Sequence, residues 1–137
     1  MTGTPEPILL DTNVLLSAVL FGGKPGWLVE AARSGRVRAV TSLYILREFK
    51  EVLAGPRFGV AAHTAEDLAV EMAGFMEVVP ARPSGGRRVT DPKDDPVVEA
   101  ALVAGAAAIV TGDRRLLEAR VPGIEMLTVA EMVARLE

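Results

Sequence analysis

The sequence has no cysteine and a single histidine, His63, and these two shortages remove much of the usual catalytic vocabulary. Without cysteine there are no disulfides, zinc–thiolate sites or thiol nucleophiles. One histidine nearly excludes multi-histidine metal centres and Ser-His chemistry. Aromatic residues make up only 4% of the chain, so the core has to be built from Val, Leu, Ile and Ala. No apolar run approaches the roughly 20 residues a membrane span needs. The opening "MTGTPEPILL" lacks the basic region, hydrophobic stretch and cleavage site of a signal peptide. The expectation is a cytoplasmic protein with no membrane association. Whatever chemistry it performs must come from carboxylates, hydroxyls, Lys and Arg.

The formal charge of −3 argues against a general nucleic-acid coating surface. It leaves room for a local basic rim, with Arg33, Arg36 and Arg38, then Arg87 with Arg88, then Arg114 with Arg115 as candidates. Most such arginines are simply solvated surface charge. At 137 residues the chain is the size of one domain, expected to span 1–137 around one core.

Short aliphatic runs alternate with segments of helical period, the pattern of a parallel sheet covered by helices. Strands are expected at Ile8–Leu10, Val37–Val40, Glu77–Pro80, Ala108–Thr111 and Glu125–Leu127. A helix over Val14–Leu20 should stop at the break "FGGKPG", with a second running from Trp27 to about Ser34. In "SLYILREFKEVLAG", Ser42 stands at an N-cap position and Ile45, Phe49, Val52 and Leu53 share one face. Further helices are expected over Ala65–Met76, over Pro96–Ala104 behind Asp95, after Asp113, and behind the capping box "TVAE" at 128–131. The stretch "ARPSGGRRVTDPKDDP" (81–96) is the one long polar connection. The order reads β-α-α-β-α-α-β-α-β-α-β-α.

Ligand sites of open parallel sheets lie beyond the carboxyl ends of the strands, where strand order reverses. Sorted by that rule, Asp11 ends the first strand inside the most apolar stretch of the chain, and Asp113 follows the fourth strand by two residues. Asp95, with Asp91 and Asp94 beside it, opens the helix feeding that strand. Glu48 lies at the margin of its helix's buried face, whereas Lys50 and Glu51 should face solvent.

Gathered carboxylates raise one another's pKa unless a cation compensates. A hard divalent ion does so with oxygen ligands alone, taking one or two carboxylates, waters and phosphate oxygens. A site without His or Cys therefore suggests metal-assisted phosphoryl chemistry.

Each acid also has a plainer reading. Asp95 before Pro96 and Asp113 after Gly112 are good helix caps on their own. Glu48 alone would be an ordinary helix acid, "DPKDD" a turn, His63 an exposed loop residue, and Trp27 and the methionines core. Asp11 resists such a reading, because an unpaired acid at an apolar strand-to-helix junction costs several kcal/mol.

In "LLDTNVLLSAVLFGG", "TSLYILREFKEVL" and "DPKDDPVVEAALVAGAAAIVTGD" the chain resembles the PIN-domain nucleases, specifically the short bacterial branch of toxin components from toxin–antitoxin pairs. The likeness covers nearly the whole chain, with four motifs in order at the expected spacing. Asp11, Glu48, Asp95 and Asp113 take the places of that family's metal-coordinating acids, and Asn13 that of the polar residue two positions after the first. The resemblance implies a three-layer α/β/α fold with a central, mainly parallel sheet of about five strands. It also implies a Mg²⁺ or Mn²⁺ site, hydrolysis of RNA phosphodiester bonds, a homodimer or higher oligomer, and an antitoxin chain as partner. One position departs from the pattern: where the family commonly carries a further acid two residues after the T-G-D aspartate, this chain has Arg115.

The expected mechanism has the four acids holding one or two ions that activate a water. Asn13 and Thr111 orient ligands, Asp94 shares the role of Asp95, Asp91 supports, and Arg114 and Arg115 contact substrate phosphate. Two alternatives stay open on the residues. A haloacid-dehalogenase-type phosphatase would use Asp11 as nucleophile, but Asn13 stands where its second aspartate belongs. A non-catalytic PIN-like module would bind RNA or protein without cleavage.

Overall fold

The computed structural model describes residues 5–80 and 95–137. The aliphatic runs form five strands: β1 (Pro7–Leu10), β2 (Arg38–Ser42), β3 (Glu77–Val79), β4 (Ala108–Val110) and β5 (Glu125–Leu127). Between them lie α1 (Thr12–Phe21), α2 (Gly23–Arg33), α3 (Leu43–Ala54), α4 (Ala62–Phe75), α5 (Pro96–Ala104) and α6 (Arg114–Leu117), and α7 (Val129–Leu136) closes the chain. The element order is the one the sequence pattern predicts.

Every strand pair is parallel and the spatial order is β3-β2-β1-β4-β5, so the order reverses between β1 and β4. In register, Leu9 stands beside Val40 on one side and Ile109 on the other. A central parallel strand is covered on both faces and reads as a continuous apolar run. Leu9, Leu10, Val40, Ile109 and Val110 are fully buried accordingly. Truncating such a leucine to alanine costs about 2–5 kcal/mol. Helix α5 lies over β1 to β4, while α1 packs on α2 and α3, α2 on α7, and α3 on α4. The result is a three-layer α/β/α sandwich.

Local chemistry accounts for the helix starts that matter to function. Ser42 accepts from the Ile45 N–H at 3.1 Å, opening α3, whose Ile45, Phe49 and Leu53 are buried at four-residue spacing. Asp95 accepts from the Val97 N–H at 2.9 Å with Pro96 at the first helical position, and Gly105 closes α5 in the left-handed region at φ 66°. The capping box at Thr128 and Glu131 forms with both of its bonds.

Several sequence expectations need correction. "FGGKPG" is a corner between abutting helices: only Gly22 separates α1 from α2, which begins at Gly23 and not Trp27. Gly22 and Gly23 have φ 72° and 58°, angles that glycine adopts without strain. Pro25 falls at the third helical position, where no intrahelical N–H bond is lost. β2 is shifted to Arg38–Ser42, leaving Val37 buried ahead of it, and β3 and β4 each end one residue earlier than expected. α4 begins at Ala62, so exposed His63 lies in a helix and not a loop. Lys50 is half-buried against Glu66, at 2.9 Å, and not fully solvated. Among the described residues no single helix is long and apolar enough to cross a membrane.

Candidate active site

The carboxyl ends of β1 and β4 carry Asp11 and the turn Thr111-Gly112-Asp113 to either side of the point where strand order reverses. The backbone fixes both. The Asp11 N–H donates to the Val110 carbonyl at 3.0 Å, and the Thr111 N–H to the Leu127 carbonyl at 3.0 Å. A cleft of about 280 Å³ opens there, lined among others by Asp11, Thr12, Tyr44, Glu48, Asp95, Asp113 and Arg115. Four acids that are distant in sequence thus share one cavity.

Three of the four use their two oxygens differently. Asp11 Oδ1 accepts from the Thr12 N–H at 2.7 Å, Asp95 Oδ1 from the Val97 N–H at 2.9 Å, and Asp113 Oδ1 from the Arg115 N–H at 2.9 Å. Each therefore caps a helix, as the plainer reading expected of Asp95 and Asp113 but not of Asp11. The second oxygens do something else. Asp11 Oδ2 accepts from Thr111 Oγ1 at 2.7 Å and from Asn13 Nδ2 at 3.3 Å. Asp95 Oδ2 accepts from Arg115 Nη2 at 2.8 Å, and Asp113 Oδ2 lies 3.8 Å from the same nitrogen. Capping pins each side chain through one oxygen, while the other is held by Thr111 and Asn13 in Asp11 and lies against Arg115 in Asp95 and Asp113.

Glu48 is held by its neighbour helix: Thr12 Oγ1 donates to its Oε1 at 2.6 Å, tying α3 to the first turn of α1. Asn13 ties the end of β1 to the turn after β4. Its Oδ1 accepts from the Gly112 N–H at 2.9 Å while its amide donates to Asp11 and, at 3.4 Å, to Thr111 Oγ1. The Thr111 hydroxyl also accepts from the Asp113 N–H at 3.0 Å. Asn13 and Thr111 thus both bond the same oxygen of Asp11.

Asp11 and Asp95 are only 5% and 6% exposed. Burial is the largest influence on Asp11 and pushes its pKa up; the bonds from Thr111 and Thr12 pull it down, and the charges of Glu48 and Asp95 push it up again. Tyr44, one helical turn before Glu48, likewise has its phenol pKa raised, by burial first and then by Glu48, Asp95 and Asp11. The phenol stays neutral in the cleft.

Among the described residues, neither Asp11 nor Glu48 has an ion-pair partner. A buried, unmatched carboxylate beside other acids is relieved by a cation, and an oxygen-only donor set suits Mg²⁺ or Mn²⁺. No three acids among the described residues form a ready-made cage, each being turned to a hydroxyl, a backbone N–H or Arg115. Mg²⁺ needs no such cage, since it takes one or two protein carboxylates and fills its octahedron with water and phosphate oxygens. The donors therefore fit a hard divalent ion.

A family profile described as the PIN domain matches residues 7–115. The chain belongs to the PIN domain family. The match spans β1 through Arg115 in α6 and so includes all four acids. PIN domains are nucleases, and membership displaces the phosphatase alternative. No curated protein matches the sequence. Among solved structures, the PIN chain is similar to one in the crystal structure of VapBC2 from Rickettsia felis bound to a DNA fragment from their promoter. That likeness has a TM-score of 0.58 at 13% identity and covers 89% of this chain and 98% of that one. At that identity the likeness is one of fold.

Of the expected site residues, Asp11, Asn13, Glu48, Asp95, Asp113 and Arg115 line the cleft, with Thr111 just behind Asp11. Arg114 is exposed and is not part of the lining. Asp91, Asp94, Arg87 and Arg88 lie outside the described residues. The remaining basic-rim candidates are engaged elsewhere: Arg33 with Glu30 and Glu71, Arg36 with the Leu136 carbonyl, and Arg38 with Glu77 at the far end of its strand. Sequence reasoning missed Thr12 and Tyr44. The signal for Tyr44 was its spacing of four before Glu48, which puts both on one helix face.

Proposed function

We propose that this PIN domain is a divalent-metal-dependent endoribonuclease and the toxin of a toxin–antitoxin pair. The observation that carries the reading is the convergence of Asp11, Glu48, Asp95 and Asp113 on one cleft at the strand-order reversal, three of them fixed there by one oxygen used as a helix cap. Asp11 and Glu48, with Asp95 and Asp113 opposite, are the residues that would hold Mg²⁺ or Mn²⁺. When bound, such an ion neutralises charge building on a phosphate and makes water more acidic.

The chain's own groups do the rest. Thr12 holds Glu48 through Oε1, which leaves Oε2 to bond a water in the cleft. Thr111 and Asn13 fix the second oxygen of Asp11. Arg115 has donors for a phosphate oxygen. Tyr44 offers a ring on which an unstacked base can rest, favouring single-stranded or looped RNA. Hydrolysis adds water oxygen to phosphorus and breaks the bond to the leaving ribose oxygen, which takes up a proton. The antitoxin partner follows from the resemblance to toxin components, and the fold shared with a VapBC2 chain agrees with it.

The test is incubation of the pure protein with end-labelled single-stranded and hairpin RNAs in Mg²⁺, Mn²⁺ or EDTA, beside Asp11→Asn and Asp95→Asn. Asparagine caps helices as well as aspartate, so both variants keep their helix starts. Cleavage should require metal and be lost in both. Equal cleavage by wild type and variants would mean a contaminating nuclease and sink the assignment. RNA binding indifferent to chelator, without cleavage, would favour the non-catalytic module. Copurification of a small protein encoded in the neighbouring reading frame tests the antitoxin.

A further inference from the structure

We propose that Arg115 is the site's built-in second cation: its guanidinium fills the place beside Asp95 and Asp113 that a second metal ion would take, so the chain binds one divalent ion. The inference rests on the metal-dependent nuclease reading and concerns what this particular chain does with that site.

Arg115 is held at two points on the same wall. Its backbone N–H donates to Asp113 Oδ1 at 2.9 Å, which fixes the start of α6, and its Nη2 reaches Asp95 Oδ2 at 2.8 Å with Asp113 Oδ2 at 3.8 Å. Asp95 is 6% exposed, and its second oxygen is matched by the guanidinium charge. The opposite wall differs: Asp11 and Glu48 are held by the hydroxyls of Thr111 and Thr12 and by amide donors, with no ion-pair partner among the described residues. One wall therefore carries its own cation and the other has to be supplied with one.

A second divalent ion between Asp95 and Asp113 would have to displace the guanidinium or sit against its charge. Four ionised carboxylates with one guanidinium and one divalent ion leave a formal charge of −1, and a second ion would carry the cleft past neutrality to +1. The Arg115 side chain is also 66% exposed, which leaves further donors of its fork available to the phosphate that the single ion would engage from the other side.

The test is calorimetric titration of Mn²⁺ into metal-free wild type, Arg115→Ala and Arg115→Lys, with electron paramagnetic resonance of the bound Mn²⁺ and RNA cleavage measured on the same samples. Wild type and the lysine variant should each bind one ion with an isolated-ion spectrum. The alanine variant should bind two, with the broadened spectrum of a coupled pair. Two ions in wild type or in the lysine variant would overturn the proposal, and so would one ion at unchanged affinity in the alanine variant. A wild type that binds one ion, rising to two in Arg115→Ala, yet never cleaves RNA would uphold the arginine's role and overturn the nuclease reading. No Mn²⁺ binding at millimolar concentration in any of the three would overturn both.

Discussion

The two walls of the cleft solve the same electrostatic problem in different ways. On the Asp95–Asp113 side the inward oxygens share the guanidinium of Arg115. On the Asp11–Glu48 side they are held by the neutral donors Thr111, Asn13 and Thr12. Neutral donors fix a carboxylate's direction and leave its charge standing, whereas a guanidinium fixes direction and cancels charge together. The first pair thus carries its own countercharge, and the second has none among the described residues.

Activity should depend most on the uncompensated wall. Asp11→Asn keeps the cap at Thr12 and the fold but removes the charge, and the loss of several kcal/mol of charge stabilisation corresponds to about 10³-fold or more in kcat. Asp113→Asn should lose less, because Arg115 remains on Asp95. Comparing kcat for the two under saturating Mn²⁺ checks this, and equal losses would erase the distinction between the walls.

Next in size is Thr12→Val, which removes the donor to Glu48 Oε1 while keeping the shape of the side chain. Removing a partner that orients a ligand typically costs 10–100-fold in metal affinity or activity. Here the loss should appear as a weaker Mn²⁺ affinity in a calorimetric titration, with Thr12→Ser restoring it. Smaller still is Tyr44→Ala. A stacked base is worth roughly 1–3 kcal/mol, so KM for single-stranded RNA should rise about tenfold with kcat little changed, and Tyr44→Phe should behave as wild type. A KM change equal in Tyr44→Phe and Tyr44→Ala would assign the effect to the phenol and not the ring.

The fold was legible where local chemistry and burial point the same way. α5 begins at Pro96 behind Asp95 and ends at Gly105, and all three signals are written in the chain. "FGGKPG" misled because glycine and proline mark both a break and a corner between helices. Only the backbone angles of Gly22 and Gly23 distinguish the two. Within the site, Asp11 stood out as an acid in an apolar run and Asp113 as the acid of a turn after a strand. The Thr12–Glu48 bond joins residues 36 positions apart, and the Arg115–Asp95 pair residues 20 apart. No pattern in a single sequence encodes such pairings, because they depend on how α1, α3, α5 and α6 meet above the sheet.

The smallest expected effect is on stability, and its sign follows from the same wall. Burial, together with the charges of Glu48 and Asp95, holds the folded-state pKa of Asp11 above its ordinary value. In the interval between the unfolded and folded values the folded chain binds more protons than the unfolded one, so stability falls as pH rises through that interval. Above it, the ionised Asp11 is a standing cost to the folded chain, which Asp11→Asn removes without losing the Thr12 cap. In EDTA at pH 7 the variant should therefore melt higher than wild type by a few degrees, on the order of 3 °C. The gap should close as pH is lowered into the ordinary carboxyl range, where wild type is protonated in both states. Adding Mn²⁺ should raise the melting temperature of wild type more than that of the variant, reversing their order. If wild type melts above Asp11→Asn in EDTA at pH 7, Asp11 is already neutralised within the protein, and the two walls of the cleft are alike after all.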